Sequence, residues 1–433
     1  MEFVQNKVVP LLLIFALAAS PYCFGLQLGP VCLTPTTVSL ALAAFLTIIT
    51  RLCASLPLIP LFALSQPTVI ATLAYFAVGL WSGTYASDQF AFYKEIVQRT
   101  TIIFLPLFGI SMGLRTINQA KNMLLAYLPV CGVVAVIASA AAVSSKFEDP
   151  VYIMGLHKNM TASLCATMAI IVVAHLITSK RPKITIPLIK LKVKNRPLFA
   201  GLLALSLLAI VAAQGRGGML EVVAGTYAIL FAMKAKPKTL IKFTIICIVG
   251  IAIIYKCLPE KAIEHVVDTK RHSANAVRLD MWTEMGRHFM KQPFSAVGWG
   301  NVYVSETGYA YYDLACVLLF DWMQMGIFGA VALMIMIACS AALGLWTGRR
   351  INPYTAEGFV ILAATGLVAG KFTHGMVDTF WIARGANLHT WTAIGTCLFV
   401  RLWLEQNGNR AGARSARVPV KSRAKPLPAV SRT

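Results

Sequence analysis

The amino-acid sequence predicts an all-α fold: a polytopic integral membrane protein with about twelve transmembrane helices and one longer outer loop carrying a surface helix. Three observations carry this. Hydrophobic residues make up 58% of the 433 residues and charged residues only 13%. The apolar residues fall in runs close to the roughly 20 residues needed to cross a hydrocarbon core. The formal charge of +22 is concentrated in a few short stretches between those runs.

The runs lie near 8–27, 33–50, 68–84, 100–114, 122–143, 160–178, 197–214, 218–233, 241–256, 314–346, 356–372 and 386–403. In the first, Lys7 and the small residues Ala18, Ala19 and Ser20 outline a signal peptide. The apolar character continues from Tyr22 to Leu28, which favours an uncleaved first helix. Pro60, Pro106 and Pro129 interrupt apolar stretches, and such prolines are tolerated where neighbouring helices re-satisfy the freed carbonyls. The run 314–346 is too long for one simple span, so it is expected to enter as a short helix, bend near Gly326 and Gly329, and then cross. Residues 1–404 therefore read as one membrane domain, with its long loop at about 257–313. Residues 405–433 read as a basic, disordered tail, because Arg, Lys, Ala, Pro and Ser with almost no aromatics bury no core.

Charge sets the orientation. Seven Lys/Arg and no acid lie between Lys180 and Arg196, Lys234, Lys236, Lys238 and Lys242 follow, and seven more occupy the tail after Glu405. Basic residues resist translocation, so these 18 mark cytoplasmic segments rather than a nucleic-acid surface, and anionic inner-leaflet lipids are natural neighbours for them. Alternation then places both termini in the cytoplasm. The loops 85–99, 146–159, 215–217, 257–313 and 373–385 fall on the outer, periplasmic-type face. The ten cysteines are scattered through apolar runs without CxxC or Cys–His spacing, which reads as small buried hydrophobes; Cys257 and Cys316 are both on the oxidising side, though nothing demands that they pair.

Polar residues retained at span ends are expensive and are functional candidates by default. They gather on the outer face: His157 and Lys158 in GLHKNM, Arg216 in QGRGGML, Arg278 in AVRLDMW, and His374, Asp378 and Arg384 in THGMVDTFWIARG. Arg216 stands in a very short turn among Gly215, Gly217 and Gly218, where glycines admit close backbone approach and a guanidinium grips an oxyanion with two donors. A snorkelling arginine in a glycine hairpin fits the same residues. In the long loop, Arg278, Met281, Trp282, Met285 and Phe289 share one helical face, Pro293 stops the helix, and Gly298 and Gly300 turn the chain around Trp299. Such a helix either roofs a cavity opening from the bilayer or simply packs on the span ends. His374 and Asp378 are four residues apart, so a helix would set them on one face as a general base and its orienting acid, or as a structural polar cluster.

About twelve spans, the QGRGGML turn and a large late outer loop together resemble the O-antigen ligase and polysaccharide polymerase superfamily of membrane glycosyltransferases. Within that loop the likeness extends to Arg278, Trp282, Pro293, Gly298 and Gly300, and GLHKNM is similar to a His-Lys-Asn element of exopolysaccharide polymerases. The resemblance covers roughly residues 70–403. It implies a metal-independent, cofactor-free enzyme of the bacterial inner membrane, acting on the periplasmic face. The donor would be a polyprenyl-pyrophosphate-linked glycan and the acceptor a glycan or lipid-linked saccharide. Arginines matching Arg216 and Arg278 would hold the pyrophosphate, with Arg384 a further candidate and Lys158 and Trp299 nearby site residues. The ligase histidine normally precedes a Gly-x-x-Gly by about eleven residues. Counting back from Gly326 and Gly329 lands on Ala315 and Cys316, with Asp313 the nearest ionisable group. Asp313, His374 or His157 is then left to supply the base. A secondary transporter for an anionic solute is the alternative from another class, but no pair of interrupted spans recurs in two matching halves.

Overall fold

The computed structural model describes residues 2–20, 26–28, 31–148, 150–151, 156–179, 183–186, 191–260, 263, 274–304, 310–311, 316–377 and 388–416. The helices are α1 (Val4–Ala19), α2 (Pro35–Cys53), the single turn α3 (Leu61–Leu64), α4 (Pro67–Ser82), α5 (Gln89–Gly113), α6 (Ile117–Leu125) and α7 (Tyr127–Ser144). They continue with α8 (Lys158–Thr178), α9 (Asn195–Ala212), α10 (Arg216–Ala232), α11 (Pro237–Cys257), α12 (Ala274–Lys291), α13 (Val317–Gly348), α14 (Ala356–Gly375) and α15 (Leu388–Ala416). Strands occur among the described residues only as three small antiparallel hairpins in connections: Leu26–Leu28 with Val31–Leu33, Lys183–Ile186 with Leu191–Lys194, and Tyr303–Val304 with Ala310–Tyr311.

The chain is an all-α, multi-pass membrane protein. Every predicted apolar run overlaps a helix, but among the described residues eight helices, not twelve, are long and apolar enough to cross a bilayer. They are α2, α5, the α6–α7 pair, α8, α9, α11, α13 and α14. The span count is corrected for a physical reason. Helix α1 is short, α4 has 16 residues and α10 has 17, because Pro67 starts the second and Gly215 starts the third directly behind the end of α9. Helix α15 begins apolar but runs into Arg401, Glu405 and Arg410 on its way to Ala416.

Helices α8 and α14 form the interior of the bundle, and α10 packs most closely against α14. Small residues allow this approach. A Cβ at Gly225 would lie 2.8 Å from the Gly366 carbonyl, and one at Gly370 would lie 2.6 Å from that of Glu221. In contrast, α11 has no buried residue at all; Tyr227 of α10 holds it through Thr244 and an edge contact with Phe243.

Helix α13 breaks where the sequence predicts it. Gly326 takes φ 66° and ψ −170°, a region essentially reserved for glycine. The segment after α12 repairs the break. The Pro293 carbonyl accepts from the Ile327 amide and from Trp322 Nε1, while the Val297 and Gly298 amides donate to the carbonyls of Met323 and Gln324. Met285 and Phe289 of α12 pack on Phe320 and Met323, with Phe289 stacked on Trp322 at 4.6 Å. The predicted loop helix therefore docks on the short half of α13. Gly326→Ala is expected to cost about 1–3 kcal/mol, read as a lower thermal midpoint in detergent, because its Cβ would also press on the Phe294 carbonyl at 3.0 Å.

A buried polar network secures the same junction. Arg99, fully buried in α5, donates to Glu95 Oε1 (2.7 Å), Asp321 Oδ1 (3.3 Å), Gln324 Oε1 (2.9 Å) and the Tyr75 hydroxyl. Tyr75 in turn donates to Asp321 Oδ2 at 2.8 Å. The Trp299 ring lies over the guanidinium at 4.6 Å, and Asn301 binds Ser87 and the backbone of Asp88 at the start of α5. This cation, two acids, a phenol and an indole thus join α4, α5, α13 and the end of the long loop.

Candidate active site

Helices α8 and α10 begin side by side. A Cβ on Gly215 would come within 2.4 Å of the Ala162 Cβ, and one on Gly218 within 2.8 Å. The reason for the glycines around Arg216 is therefore partly helix contact. Arg216 is the first residue of α10, Lys158 is the first of α8, and Arg278 lies near the start of α12. Arg216 is exposed, and Lys158 and Arg278 are half-buried. The structure brings these three cations into one field: Arg216 and Arg278 both repel Lys158, and Arg278 repels Arg216. The N-termini of α8 and α10 add amide donors and positive helix-dipole ends to the same place. Cations and two helix N-termini at one place favour a multiply charged anion there.

His374 stands beside this cluster. It lies in the last turn of α14, is 1% exposed, and its ring packs against the backbone of Gly217. A Cβ at Gly217 would lie 2.3 Å from both Cδ2 and Nε2 of the imidazole, so only glycine leaves room for the ring beside Arg216. The local acid that helical spacing suggests, Asp378, lies outside the described residues. The His374 Nδ1 lies 2.8 Å from Oε2 of Glu221, a fully buried carboxylate six positions into α10. Lys371 Nζ meets the other oxygen, Oε1, at 2.8 Å. Ser163 of α8 donates to Oε2 at 2.8 Å and also contacts the Lys371 ammonium. Four side chains from three helices thus form one buried unit.

The remaining expected site residues divide. His157 caps α8, its Nδ1 accepting from the Asn159 amide at 3.3 Å, and it is exposed. Trp299 is buried in the Arg99 network and packs on Tyr75 and Phe76. Asp313, Asp378 and Arg384 lie outside the described residues. Cys257 and Cys316 are both free thiols. Among the described residues, no three His, Cys, Asp or Glu side chains converge as metal ligands.

Glu221, Lys371 and Ser163 escaped the sequence reading. A usable signal was present: Glu221 is the one acid in the α10 run, and Lys371 precedes His374 by one helical turn inside an apolar span. No protein-family model matches the chain, and no curated protein matches it.

Proposed function

We propose that this protein is a glycosyltransferase of the bacterial inner membrane, transferring or polymerising a polyprenyl-pyrophosphate-linked saccharide on the periplasmic face. Lys158 and Arg216, the first residues of α8 and α10, whose N-termini lie side by side, carry the reading. The Lys183–Lys194 hairpin joins the opposite ends of α8 and α9, as the positive-inside rule requires for a cytoplasmic connection.

The chemistry follows from the charges. The acceptor hydroxyl oxygen attacks C1 of the donor sugar, the bond from C1 to the phosphate oxygen breaks, and its electron pair leaves with polyprenyl pyrophosphate. Negative charge grows on the leaving group as that bond breaks, and fixed guanidinium groups stabilise it without reorganising. A donor carried on a lipid needs a site at the lip of the bundle, where α8 and α10 begin. The hydroxyl proton must also be accepted, and the outer-face residues supply the base.

A clean deletion strain should lose or shorten a surface polysaccharide and accumulate the lipid-linked donor. The purified protein in nanodiscs should convert that extracted donor to longer or transferred glycan with release of polyprenyl pyrophosphate. Unchanged glycan profiles would sink the proposal. So would proteoliposome uptake of an anion, abolished by Arg216→Ala, in a protein without transferase activity.

A further inference from the structure

We infer that Trp81, Tyr85, Phe294 and Phe328 form a patch that binds the phospholipid interface, which makes the turn after α12 a membrane-inserted wedge. The inference needs only the multi-pass membrane fold and is independent of the reaction proposed above.

Four exposed rings touch one after another. Tyr85 meets Trp81 edge-on with centroids 5.3 Å apart, Trp81 meets Phe328 at 5.9 Å, and Phe328 meets Phe294 at 5.6 Å. Each is between 44% and 63% exposed, although large aromatic rings gain much from leaving water. They come from three parts of the chain. Trp81 is in the last turn of α4, and Tyr85 is in the short turn that follows it. Phe328 lies just beyond the break in α13, and Phe294 follows Pro293 in the segment that repairs that break.

The patch continues two surfaces that the membrane fold turns to lipid. On α13, Phe328, Val331 and Ile335 are exposed at helical spacing, and on α4 so are Ile70, Leu73 and Leu80. No charged residue occurs between Arg51 and Asp88. The rings stand at the ends of these apolar stripes, where aromatic side chains gather as a helix passes from hydrocarbon to headgroups. The far end of α13 gives the same level. Trp346 is 64% exposed, and Arg349 and Arg350 follow it. At 1.5 Å per residue Phe328 and Trp346 are roughly 27 Å apart, close to the ~30 Å of a hydrocarbon core. Lys291 and Gln292, both exposed, precede Pro293 and place polar groups beside Phe294, as a headgroup boundary favours.

The wedge and the helix break are one piece. A Cβ at Gly326 would lie 3.0 Å from the Phe294 carbonyl, and the Pro293 carbonyl accepts from the Ile327 amide. Lipid thus holds from outside a junction that α12 holds from above through Phe289 and Trp322.

The test places the photoreactive residue benzoylphenylalanine at position 294 of the full-length protein, in nanodiscs of phosphatidylethanolamine and phosphatidylglycerol. One exposed aromatic replaces another, so a wild-type thermal midpoint is expected. After irradiation, mass spectrometry should show phospholipid adducts at a yield comparable with the same label at Val331. The yield should be several-fold above that at Thr283, an exposed residue of α12. The label at Tyr85, outside the repaired break, should also capture lipid, and it decides the matter if the variant at 294 unfolds. Capture at Val331 without capture at 294 and 85 would overturn the inference. So would equal yields at Thr283 and 294, which would show no localised wedge. A crosslink to a second copy of the chain in place of lipid would overturn it by assigning the patch to a protein partner. Absence of adducts at Val331 as well would remove the lipid-facing surface that the patch continues, and the inference with it.

Discussion

Arg216→Lys is expected to transfer sugar little better than Arg216→Ala, each falling by about 10²–10³-fold in kcat/KM. Both substitutions leave Lys158 and Arg278 in place, so the site stays cationic, and a loss in the lysine variant therefore reports geometry. A guanidinium presents two parallel donors to neighbouring phosphate oxygens, whereas an ammonium is a single, strongly hydrated point charge. The start of α10 fixes the Arg216 backbone, since Gly215 and Gly218 lock that turn against Ala162. A shorter-range contact cannot be regained by shifting the helix. Steady-state transfer assays on matched amounts of folded protein decide the matter. Full activity in Arg216→Lys would mean that the residue serves only as a charge at the membrane edge.

Arg99→Ala is expected to destabilise the protein by about 3–5 kcal/mol, the cost of removing one member of a buried ion pair. Asp321 is fully buried and would keep only the Tyr75 hydroxyl, while Glu95 and Gln324 would lose their donor. The Trp299 ring would lose the cation it covers. The diagnostic comparison is the double variant Arg99→Met/Asp321→Leu. Replacing both charges with apolar side chains of similar volume removes the desolvation penalty together with the attraction, so the double variant should be more stable than either single one. Thermal unfolding in detergent and steady-state abundance in membranes measure this. A double variant as unstable as Arg99→Ala would show that shape, rather than charge, holds the junction.

Much of the fold was legible because it depends on local properties. Run length and hydropathy place the spans, and the glycines Gly326 and Gly329 mark the break in α13. The span count was less legible, since crossing depends on where caps and turns cut a run, and Gly215 shortens α10 to 17 residues. At the site, sequence singled out Lys158, Arg216, Arg278 and His374 one by one, by their polarity at span ends. Their proximity was invisible, because it comes from the packing of α8, α10, α12 and α14 across more than two hundred residues of sequence. The same distance hid one partner of His374. Spacing along one helix points to Asp378, which lies outside the described residues, and gives no sign of Glu221, which reaches His374 from a neighbouring helix. Trp299 was chosen for its glycine-flanked turn, and its neighbours, Arg99 and Tyr75, belong to segments read only as spans and loops.

Helix α11 shows the opposite relation between sequence and structure. None of its 21 residues is buried, and Ile241, Ile245, Ile248, Ile251 and Ile253 are all exposed. Acyl chains are as apolar as these side chains and have no fixed shape, so they distinguish isoleucine from leucine or valine hardly at all. Apart from Phe243 and Thr244, which meet Tyr227, the order of aliphatic residues in α11 carries almost no positional information; only their summed hydropathy does. In α14, by contrast, most residues are buried, and a Cβ at Gly366 or Gly370 would press on Ile170. Substitutions should therefore accumulate freely along α11, and a drifting helix there is compatible with an unchanged fold and an unchanged site.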